Sequence, residues 1–220
     1  SSIADIDSDG QPEVILSVPY KISSTDKNRL VALEANGNVK WEVETSTSAG
    51  TRGGGAQAVS NFFGSNNLGI VHAGYLSVTM YDKDGQLVWS VPNEDTSGRI
   101  GVSAYDFNGD GIDEVIVQNH LTVRVLNGLN GEVLSTVANS TASLWEYPIV
   151  VDLAGDNNAE LITVSNNHDS RYNINNGVTV YGAADNSKPW KNATRIWNQH
   201  SYHQTNINQN GTVPTVELPS

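Results

Sequence analysis

Cysteine is absent from the 220-residue chain, which excludes disulfide bonds, zinc–thiolate sites and thiol nucleophiles. Basic residues are scarce, since 12 Lys and Arg stand against 24 Asp and Glu, for a formal net charge of -12. A protein that binds a phosphate backbone needs a basic surface, so nucleic acid is not an expected partner. No apolar run approaches the roughly 20 residues that a membrane-crossing helix requires. An acidic surface of this kind suits cations instead.

Five nine-residue segments rich in Asp, Asn and Gly repeat along the chain, and we call them turns one to five. Their starts are 45 to 56 residues apart, which is in the range of the blade period of a β-propeller. A strand-like apolar run follows each of the first four. The segments are DIDSDGQPE from Asp5, NFFGSNNLG from Asn61, DFNGDGIDE from Asp106, DLAGDNNAE from Asp152 and NINQNGTVP from Asn206.

A second landmark follows later in each repeat. Its copies are EANGNVKW, DKDGQLVW, NGLNGEVLS and, more loosely, AADNSKPW, and Trp41, Trp89 and Trp190 share one position of it. The Asn-Gly and Asp-Gly pairs of this landmark supply the positive φ that tight primed hairpin turns require. They predict a hairpin between the third and fourth strands of a repeat.

Four short strands are predicted in each repeat, and in the second repeat they cover residues 56–62, 68–74, 76–82 and 87–92. No segment has the periodicity of a convincing amphipathic helix. The predicted fold class is therefore all-β, with β-propeller blades of four antiparallel strands. Residues 1–220 are expected to form a single propeller or propeller segment of four to five repeats. The chain is expected to be either a segment of a larger propeller of seven or eight blades or a protomer that pairs its open edges with a neighbour.

Turns one and three, with the strands that follow them, read DIDSDGQPEVIL and DFNGDGIDEVIV. They resemble FG-GAP or VCBS-type repeats, the calcium-binding blades of the integrin α-subunit head and of many secreted bacterial proteins. The resemblance covers nearly the whole chain and implies a calcium-binding propeller that is secreted or lies at the cell surface. Turns two and five lack all the carboxylates of the motif, so the metal role is not carried over to them.

The spacing of the oxygen-bearing side chains itself predicts calcium. Carboxylates or amides at positions 1, 3 and 5 converge on one point, Gly at position 6 permits the turn, and an acid at position 9 completes the shell. Ligands that are all oxygen favour Ca²⁺ over zinc or copper. The predicted ligands are Asp5, Asp7, Asp9, the Gln11 carbonyl and Glu13 in turn one, and Asp106, Asn108, Asp110, the Ile112 carbonyl and Glu114 in turn three.

Turn four is a third candidate for calcium. It keeps Asp152, Asp156, the Asn158 carbonyl and Glu160, but it has Ala154 at position 3 and Asn157 in place of Gly. Water would have to replace the missing ligand. The alternative that the acidic segments are only polar turns stays open for turn four. It fails for turns one and three, because their crowded acids repel one another unless a cation intervenes. Turns two and five are predicted to be free of metal.

The connections predict which end of the blades binds a ligand. In an up-and-down blade, the loops that join strands 1–2 and 3–4 lie at one end, and the calcium turns and short hairpins occupy it. The longer loops, at 19–29, 44–55, 92–100 and 165–176, lie at the other end. Varied loops on a rigid scaffold are where binding usually occurs. The predicted ligand face carries Tyr20, Arg52, Arg99, His168, Arg171 and Tyr172.

No catalytic motif accompanies these features. GxSxG and HExxH do not occur, and the glycine-rich segment at 51–55 lacks the Lys and Ser or Thr of a phosphate-binding loop. The leading interpretation is an extracellular calcium-binding propeller module for adhesion that recognises a protein or glycan ligand. Two alternatives stay open. One is a structural or assembly protomer of a surface polymer, and the other is a blade segment of a secreted polysaccharide lyase or quinoprotein.

Both ends of the chain offer the same kind of strand. Ser1 lies in the first strand of a blade, and turn five again joins a first to a second strand. A closed propeller pairs complementary strands from its two ends, so that no edge stays open. We therefore expect the terminal strands to pair with another chain or with further parts of the same chain.

Overall fold

The computed structural model of the protein describes residues 1–22, 25–45, 54–65, 67–142, 146–185, 187–198 and 207–215. These residues form β-strands and turns and contain no helix. None of them therefore forms a helix with the length and apolar character needed to cross a membrane. The strands are β1 (Ser2–Ala4), β2 (Glu13–Ile22), β3 (Thr25–Leu33), β4 (Val39–Glu44), β5 (Ala58–Ser60), β6 (Gly69–Gly74), β7 (Ser77–Tyr81), β8 (Leu87–Pro92), β9 (Val102–Tyr105), β10 (Glu114–Gln118), β11 (Thr122–Leu126), β12 (Val133–Ala138), β13 (Ile149–Val151), β14 (Glu160–Ser165) and β15 (Gly177–Tyr181).

The strands form four antiparallel sheets that follow one another along the chain. Sheets one, two and three contain β1–β4, β5–β8 and β9–β12, each in up-and-down order, and sheet four contains β13–β15. The predicted all-β class of antiparallel sheets is therefore confirmed. In the second repeat the predicted strands agree with β6–β8 to within one residue, and the first predicted strand is two residues longer than β5 at each end.

The fourth strand predicted for the fourth repeat is not found among the described residues. The segment 187–198 instead runs across turns three and four, where Lys191 N donates to Phe107 O (3.0 Å) and Asp152 N donates to Thr194 O (3.0 Å). Pro189 precedes these contacts, and a proline lacks the N–H that a sheet ladder needs. Sheet four thus has three strands in the described part of the chain.

Burial decreases from the first strand of a sheet to the fourth. In sheet three, β9 is buried along its whole length, β11 is partly buried and β12 is mostly exposed. The first strands of neighbouring sheets lie side by side, since β5 contacts both β1 and β9. This inside-to-outside order is that of propeller blades. The fold is β-propeller-like.

Apolar side chains fill the space between consecutive sheets. Three clusters of buried residues each draw members from two adjacent sheets. Burying each Leu or Ile side chain stabilises the fold by roughly 1.5–3 kcal/mol, so the sheets hold together mainly through their faces. Representative pairs are Ile15 with Ile70, Met80 with Val115, and Ile116 with Leu161.

In each of the first two sheets, one tryptophan contacts the hairpin of the next sheet. Trp41 Nε1 donates to Lys83 O at 2.8 Å, and Trp89 Nε1 donates to Gly128 O at 2.8 Å. The position that these tryptophans share in the sequence is therefore an inter-sheet contact. Trp190, the third residue predicted at this position, lies outside the strands and packs edge-on against Phe107, with ring centroids 4.7 Å apart.

The hairpins between third and fourth strands differ from the prediction in their turn type. Only the glycine of each Asn-Gly or Asp-Gly pair has positive φ, whereas a primed type I turn needs positive φ at both central residues. In the first two hairpins the glycine N donates to the carbonyl three residues earlier, which gives a type I turn followed by a left-handed glycine. The extra residue shifts the strand register in both. The φ values are +85° at Gly37, +75° at Gly85 and +74° at Gly131.

One of the predicted long loops is part of a hairpin instead. β2 and β3 pair continuously to Ile22 and Thr25, so residues 19–29 lie almost entirely in strands. The predicted loop begins at Pro19, and proline is uncommon inside a strand. However, β1 pairs only with residues 13–15, so β2 has an open edge at Pro19, where a proline breaks no ladder. The loops at 92–100 and 165–176 lie between strands as predicted, and most of 44–55 lies outside the described residues.

The tryptophan contacts predict unequal effects of alanine at equivalent hairpin glycines. Gly37→Ala and Gly85→Ala both place alanine at positive φ, which costs about 1–2 kcal/mol. A Cβ at Gly85 would lie 2.8 Å from the Trp41 ring, whereas nothing lies within 4 Å at Gly37. We expect Gly85→Ala to cost an additional 1–3 kcal/mol or so from overpacking. Equal losses of unfolding free energy in urea would contradict the proposed role of Trp41.

Candidate functional site

The acid at position 1 holds each acidic turn closed through backbone N–H groups. Asp5 accepts from Asp9 N at 3.0 Å and from Gly10 N at 2.8 Å. Asp106 and Asp152 each accept from three backbone N–H groups of their own turns. Position 6 has positive φ in all three turns, at Gly10 (+88°), Gly111 (+83°) and Asn157 (+67°). Asn157 therefore adopts the backbone conformation that glycine has elsewhere, and its presence does not open turn four.

The acid at position 9 ties the start of each second strand to its turn. Glu13 and Glu114 are buried, and Glu160 is partly buried. In each case Oε2 accepts a hydrogen bond from the second residue of the turn. The donors are Ile6 N at 3.0 Å, Phe107 N at 2.9 Å and Leu153 N at 2.8 Å.

Turn one brings three carboxylates together. Oxygen atoms of Asp5, Asp7 and Glu13 all lie within 4.8 Å of one another. Glu13 is fully buried, its Oε1 has no hydrogen-bond partner in the described part of the chain, and burial raises the pKa of this carboxyl. An unpartnered buried carboxylate oxygen beside two further carboxylates fits a hard cation with oxygen ligands. Asp9 and Gln11 are exposed on the same turn, and Asp9 lies outside the cluster.

A lysine already contacts this cluster. Lys40 Nζ lies 2.5 Å from Asp7 Oδ2 and 3.0 Å from Glu34 Oε1, and its side chain is only 17% exposed. The ammonium lowers the pKa of Asp7 and its own pKa is raised in turn. Since Lys40 offers positive charge to one ligand of the cluster, a metal ion must compete with it for Asp7.

Turn three arranges its polar groups differently. The Asn108 side-chain amide donates to Asp110 Oδ2 (3.0 Å) and to Glu114 Oε1 (3.2 Å), and Lys191 Nζ donates to Asp106 Oδ2 at 3.0 Å. Among the described residues, the three-carboxylate cluster occurs in turn one alone. Burial raises the pKa of Glu114 to about 7. Ile112, the fifth predicted ligand of this turn, is placed by its N–H, which donates to Asp110 Oδ1 at 2.8 Å.

Turn four opens onto a cavity of about 320 Å³. Asp156, Asn158 and Glu160 line it together with Pro189 and Trp190. The other predicted ligand, Asp152, is buried beneath the turn. The guanidinium of Arg195 lies close to this turn, since a Cβ at Gly155 would be 2.4 Å from it. All three acidic turns therefore have a basic side chain beside them.

Turn two is anchored by hydrogen bonds and an aromatic core residue. Asn61 donates from its side-chain amide to Gly111 O (3.0 Å), and both Ser60 Oγ and Asn61 N donate to Asp113 Oδ2. Phe62 is completely buried. In turn five, which begins at Asn206 outside the described residues, Asn208 and Thr212 bond to each other. Neither turn carries a carboxylate of its own.

At the opposite end of the sheets, four loops enclose a second cavity, of about 360 Å³. Arg99, Arg171 and Tyr172 of the predicted ligand face line it. His168 is exposed on the same loop as Arg171. Tyr20 lies apart in sheet one, where its hydroxyl donates to Glu44 (3.1 Å). Arg52 lies outside the described residues. The full lining is Thr96, Ser97, Arg99, His120, Ala142, Asp169, Arg171 and Tyr172.

Several residues of these sites were not predicted from the sequence. Lys40, Lys191 and Arg195 come to the acidic turns from other parts of the chain, and no repeat pattern marks them. At the position of Lys40, the second repeat has Val88. His120 belongs to no motif in the sequence, although it forms one wall of the second cavity.

The comparisons with known proteins identify a similar solved structure. No protein-family model and no curated protein matches the chain. The crystal structure of the V. cholerae biofilm matrix protein Bap1 is similar over 99% of this chain, with 30% identical residues and a TM-score of 0.88. The present chain spans 62% of that Bap1 chain. The four-sheet arrangement thus recurs in a biofilm matrix protein.

Two further structures are more distant. BamB from Moraxella catarrhalis is 18% identical, over 74% of this chain and 45% of its own, with a TM-score of 0.46. A Bacteroides caccae protein of unknown function is 13% identical, over 81% of this chain and 63% of its own, with a TM-score of 0.44.

Glu114 predicts a pH dependence of stability in the calcium-free protein. Its folded-state pKa of about 7 exceeds the ordinary 4.5, so the folded state keeps a proton that the unfolded state releases. This stabilisation is fully present below about pH 4.5 and is lost as the pH rises through 7. Between about pH 5 and pH 8, with chelator present, we expect wild type to lose up to about 3 kcal/mol more unfolding free energy than Glu114→Gln.

The control is Glu132→Gln, which removes an exposed carboxyl just before β12. Its unfolding free energy should change with pH as that of wild type does. Urea unfolding at both pH values gives the comparison. If Glu114→Gln lost as much stability as wild type, the assignment of a raised pKa to this carboxyl would be wrong.

Proposed function

We propose that the chain is an extracellular or cell-surface binding module of a matrix protein, built from FG-GAP or VCBS-type calcium-binding repeats. Calcium in the acidic turns stabilises the sheets at one end. The loop face at the other end binds a protein or glycan ligand. The observation that carries the proposal is the buried Glu13 carboxylate, which clusters with Asp5 and Asp7 and whose Oε1 has no described partner.

Calcium suits the residues that surround this oxygen. Asp5, Asp7 and Glu13 would hold the ion in turn one, with Asp9 and the Gln11 carbonyl as the remaining predicted ligands. In turn three the holders would be Asp106, Asn108, Asp110, the Ile112 carbonyl and Glu114, and in turn four Asp152, Asp156, the Asn158 carbonyl and Glu160. When bound, a divalent cation neutralises the crowded carboxylates and links the start of each acidic turn to the second strand of its sheet.

The lysines set the expected strength of binding. Lys40 and Lys191 each donate to a predicted ligand carboxylate. Calcium therefore has to displace the lysine ammonium or share the carboxylate with it. Competition of this kind lowers the affinity. Sites with dissociation constants of about 10⁻⁴–10⁻³ M are typical of extracellular modules, where calcium is plentiful.

The similarity to Bap1, a biofilm matrix protein to which 99% of this chain aligns at 30% identity, supports the proposed location. The same similarity favours a second candidate function, that of a structural or assembly protomer of a surface polymer. The two candidates differ in whether the loop face binds a separate ligand. The cavity lined by Arg99, Arg171 and Tyr172 supports the binding module.

Calcium is expected to raise the thermal midpoint. An ion that binds only the folded state stabilises it by RT ln(1 + [Ca²⁺]/Kd), about 2.7 kcal/mol at 100-fold excess over Kd. In Glu13→Gln the calcium-dependent gain should be smaller. Its calcium-free stability should be equal or higher, because the substitution removes a buried charge. Glu132→Gln is the matched control and should keep the full gain.

Melting curves with calcium and with chelator test this. The same midpoint in both for wild type would overturn the calcium proposal. An equal calcium gain in Glu13→Gln would show that turn one is not the site.

A further inference from the structure

The cavity at the loop end is held in shape by a buried aspartate. Asp95 is fully buried, and its carboxylate accepts from Ser97 N (3.1 Å) and Gly98 N (2.6 Å). Its carbonyl accepts from Leu76 N at 2.9 Å, which ties the loop to the turn between β6 and β7. Thr96 and Arg99 therefore project from a loop whose backbone is fixed on both sides.

A histidine and a tyrosine from two other sheets form a second wall. The His120 ring lies between Thr141 O, 3.0 Å from Nδ1, and Asp95 Oδ1, 3.2 Å from Nε2. Its face stacks on Tyr172, with centroids 4.6 Å apart and an interplanar angle of 11°. Because both ring nitrogens and one ring face are engaged, His120 is a rigid part of the cavity and positions Tyr172.

The two arginines of the cavity differ in their partners. The Arg171 guanidinium donates to Asp169 Oδ2 from Nη2 (2.5 Å) and from Nε (3.1 Å). The Asp169 carboxylate therefore largely neutralises the Arg171 charge. Arg99 is half-buried, and its guanidinium makes no hydrogen bond or ion pair with any described residue. A guanidinium presents a fixed fork of donors that fits a carboxylate. Arg99 is thus the cavity's available anion-binding group.

We propose that this cavity binds a carboxylate-bearing sugar unit, with Arg99 contacting the carboxylate. The inference rests on the proposed function, because it names the ligand class of the loop face. The lining is polar, and Ala142 is its one aliphatic side chain. A peptide would need an apolar pocket for a large anchoring side chain. A cavity of about 360 Å³ is at the small end for ligand sites and suits a short saccharide.

The charge of the protein makes this inference sharply testable. A chain with a net charge of -12 repels an acidic saccharide at long range, and salt screens such forces beyond about 8–10 Å. Attraction therefore has to come from a local cation. Loss of the Arg99 charge should remove most of the affinity, while loss of a distant lysine should remove none.

Isothermal titration calorimetry tests this with oligogalacturonate, oligoguluronate and hyaluronan fragments. Neutral oligogalactose and a poly-glutamate peptide are the comparison ligands. Titrations in chelator, below the calcium-free melting temperature, prevent calcium from bridging two acidic partners. The variants are Arg99→Gln and, as the matched control, Lys83→Gln, which removes an exposed charge on the hairpin between β7 and β8.

We expect at least one acidic oligosaccharide to bind. Arg99→Gln should weaken it at least about tenfold, the size expected for a charge-assisted hydrogen bond, and Lys83→Gln should leave it unchanged. Arg99→Lys should restore part of the affinity, which also shows that the loop folds without the native side chain. Three outcomes would overturn the inference: no binding of any acidic oligosaccharide, equal binding of the neutral one, or tighter binding of poly-glutamate.

These outcomes are separable from those of the proposed function. If the calcium melting gain is present but no saccharide binds, the ligand class is wrong and the calcium module stands. If calcium has no effect while Arg99-dependent saccharide binding is seen, the cavity assignment stands and the calcium part of the proposed function fails.

Discussion

A tight turn between two strands points several backbone N–H groups toward its own centre, and those groups need an acceptor. In this protein the acceptor is a carboxylate at position 1 of each acidic turn. Placing an acid there, with further acids at positions 5 and 9, concentrates negative charge at one end of the sheets. Basic side chains at the same end of the sheets partly neutralise this charge. Lys40, Lys191 and Arg195 reach the turns from elsewhere, and the carboxylates of turn one leave a buried oxygen for a cation.

Turn two shows what the same scaffold does without carboxylates. Its first residue, Asn61, is joined to turn three by hydrogen bonds to Asp113 and Gly111. Its second residue, Phe62, is buried, as are Ile6 and Phe107 at the same position of turns one and three. The tryptophan contacts on β4 and β8 join sheet one to sheet two and sheet two to sheet three. The loops at the other end differ in sequence and form the second cavity.

The sequence predicted those parts of the structure that repeat. Two landmarks per repeat gave the sheets, the acidic turns and the end to which Arg99, Arg171 and Tyr172 belong. Features that arise once could not be found in this way. The position of Lys40 beside turn one depends on where β4 begins. Pro19 can lie within β2 because β1 is short and pairs only with residues 13–15. The hairpin turn type was missed because Asn-Gly is compatible with both a primed turn and a left-handed glycine after a type I turn.

Anomalous diffraction from crystals grown with calcium tests the central claim most directly. The account predicts a peak in turn one with oxygen atoms of Asp5, Asp7 and Glu13 at about 2.3–2.6 Å, with Lys40 moved away from Asp7. It predicts no peak beside Asn61 in turn two. Density that shows no ion in turn one, with the Lys40 ammonium still bonded to Asp7 in the presence of millimolar calcium, would contradict it.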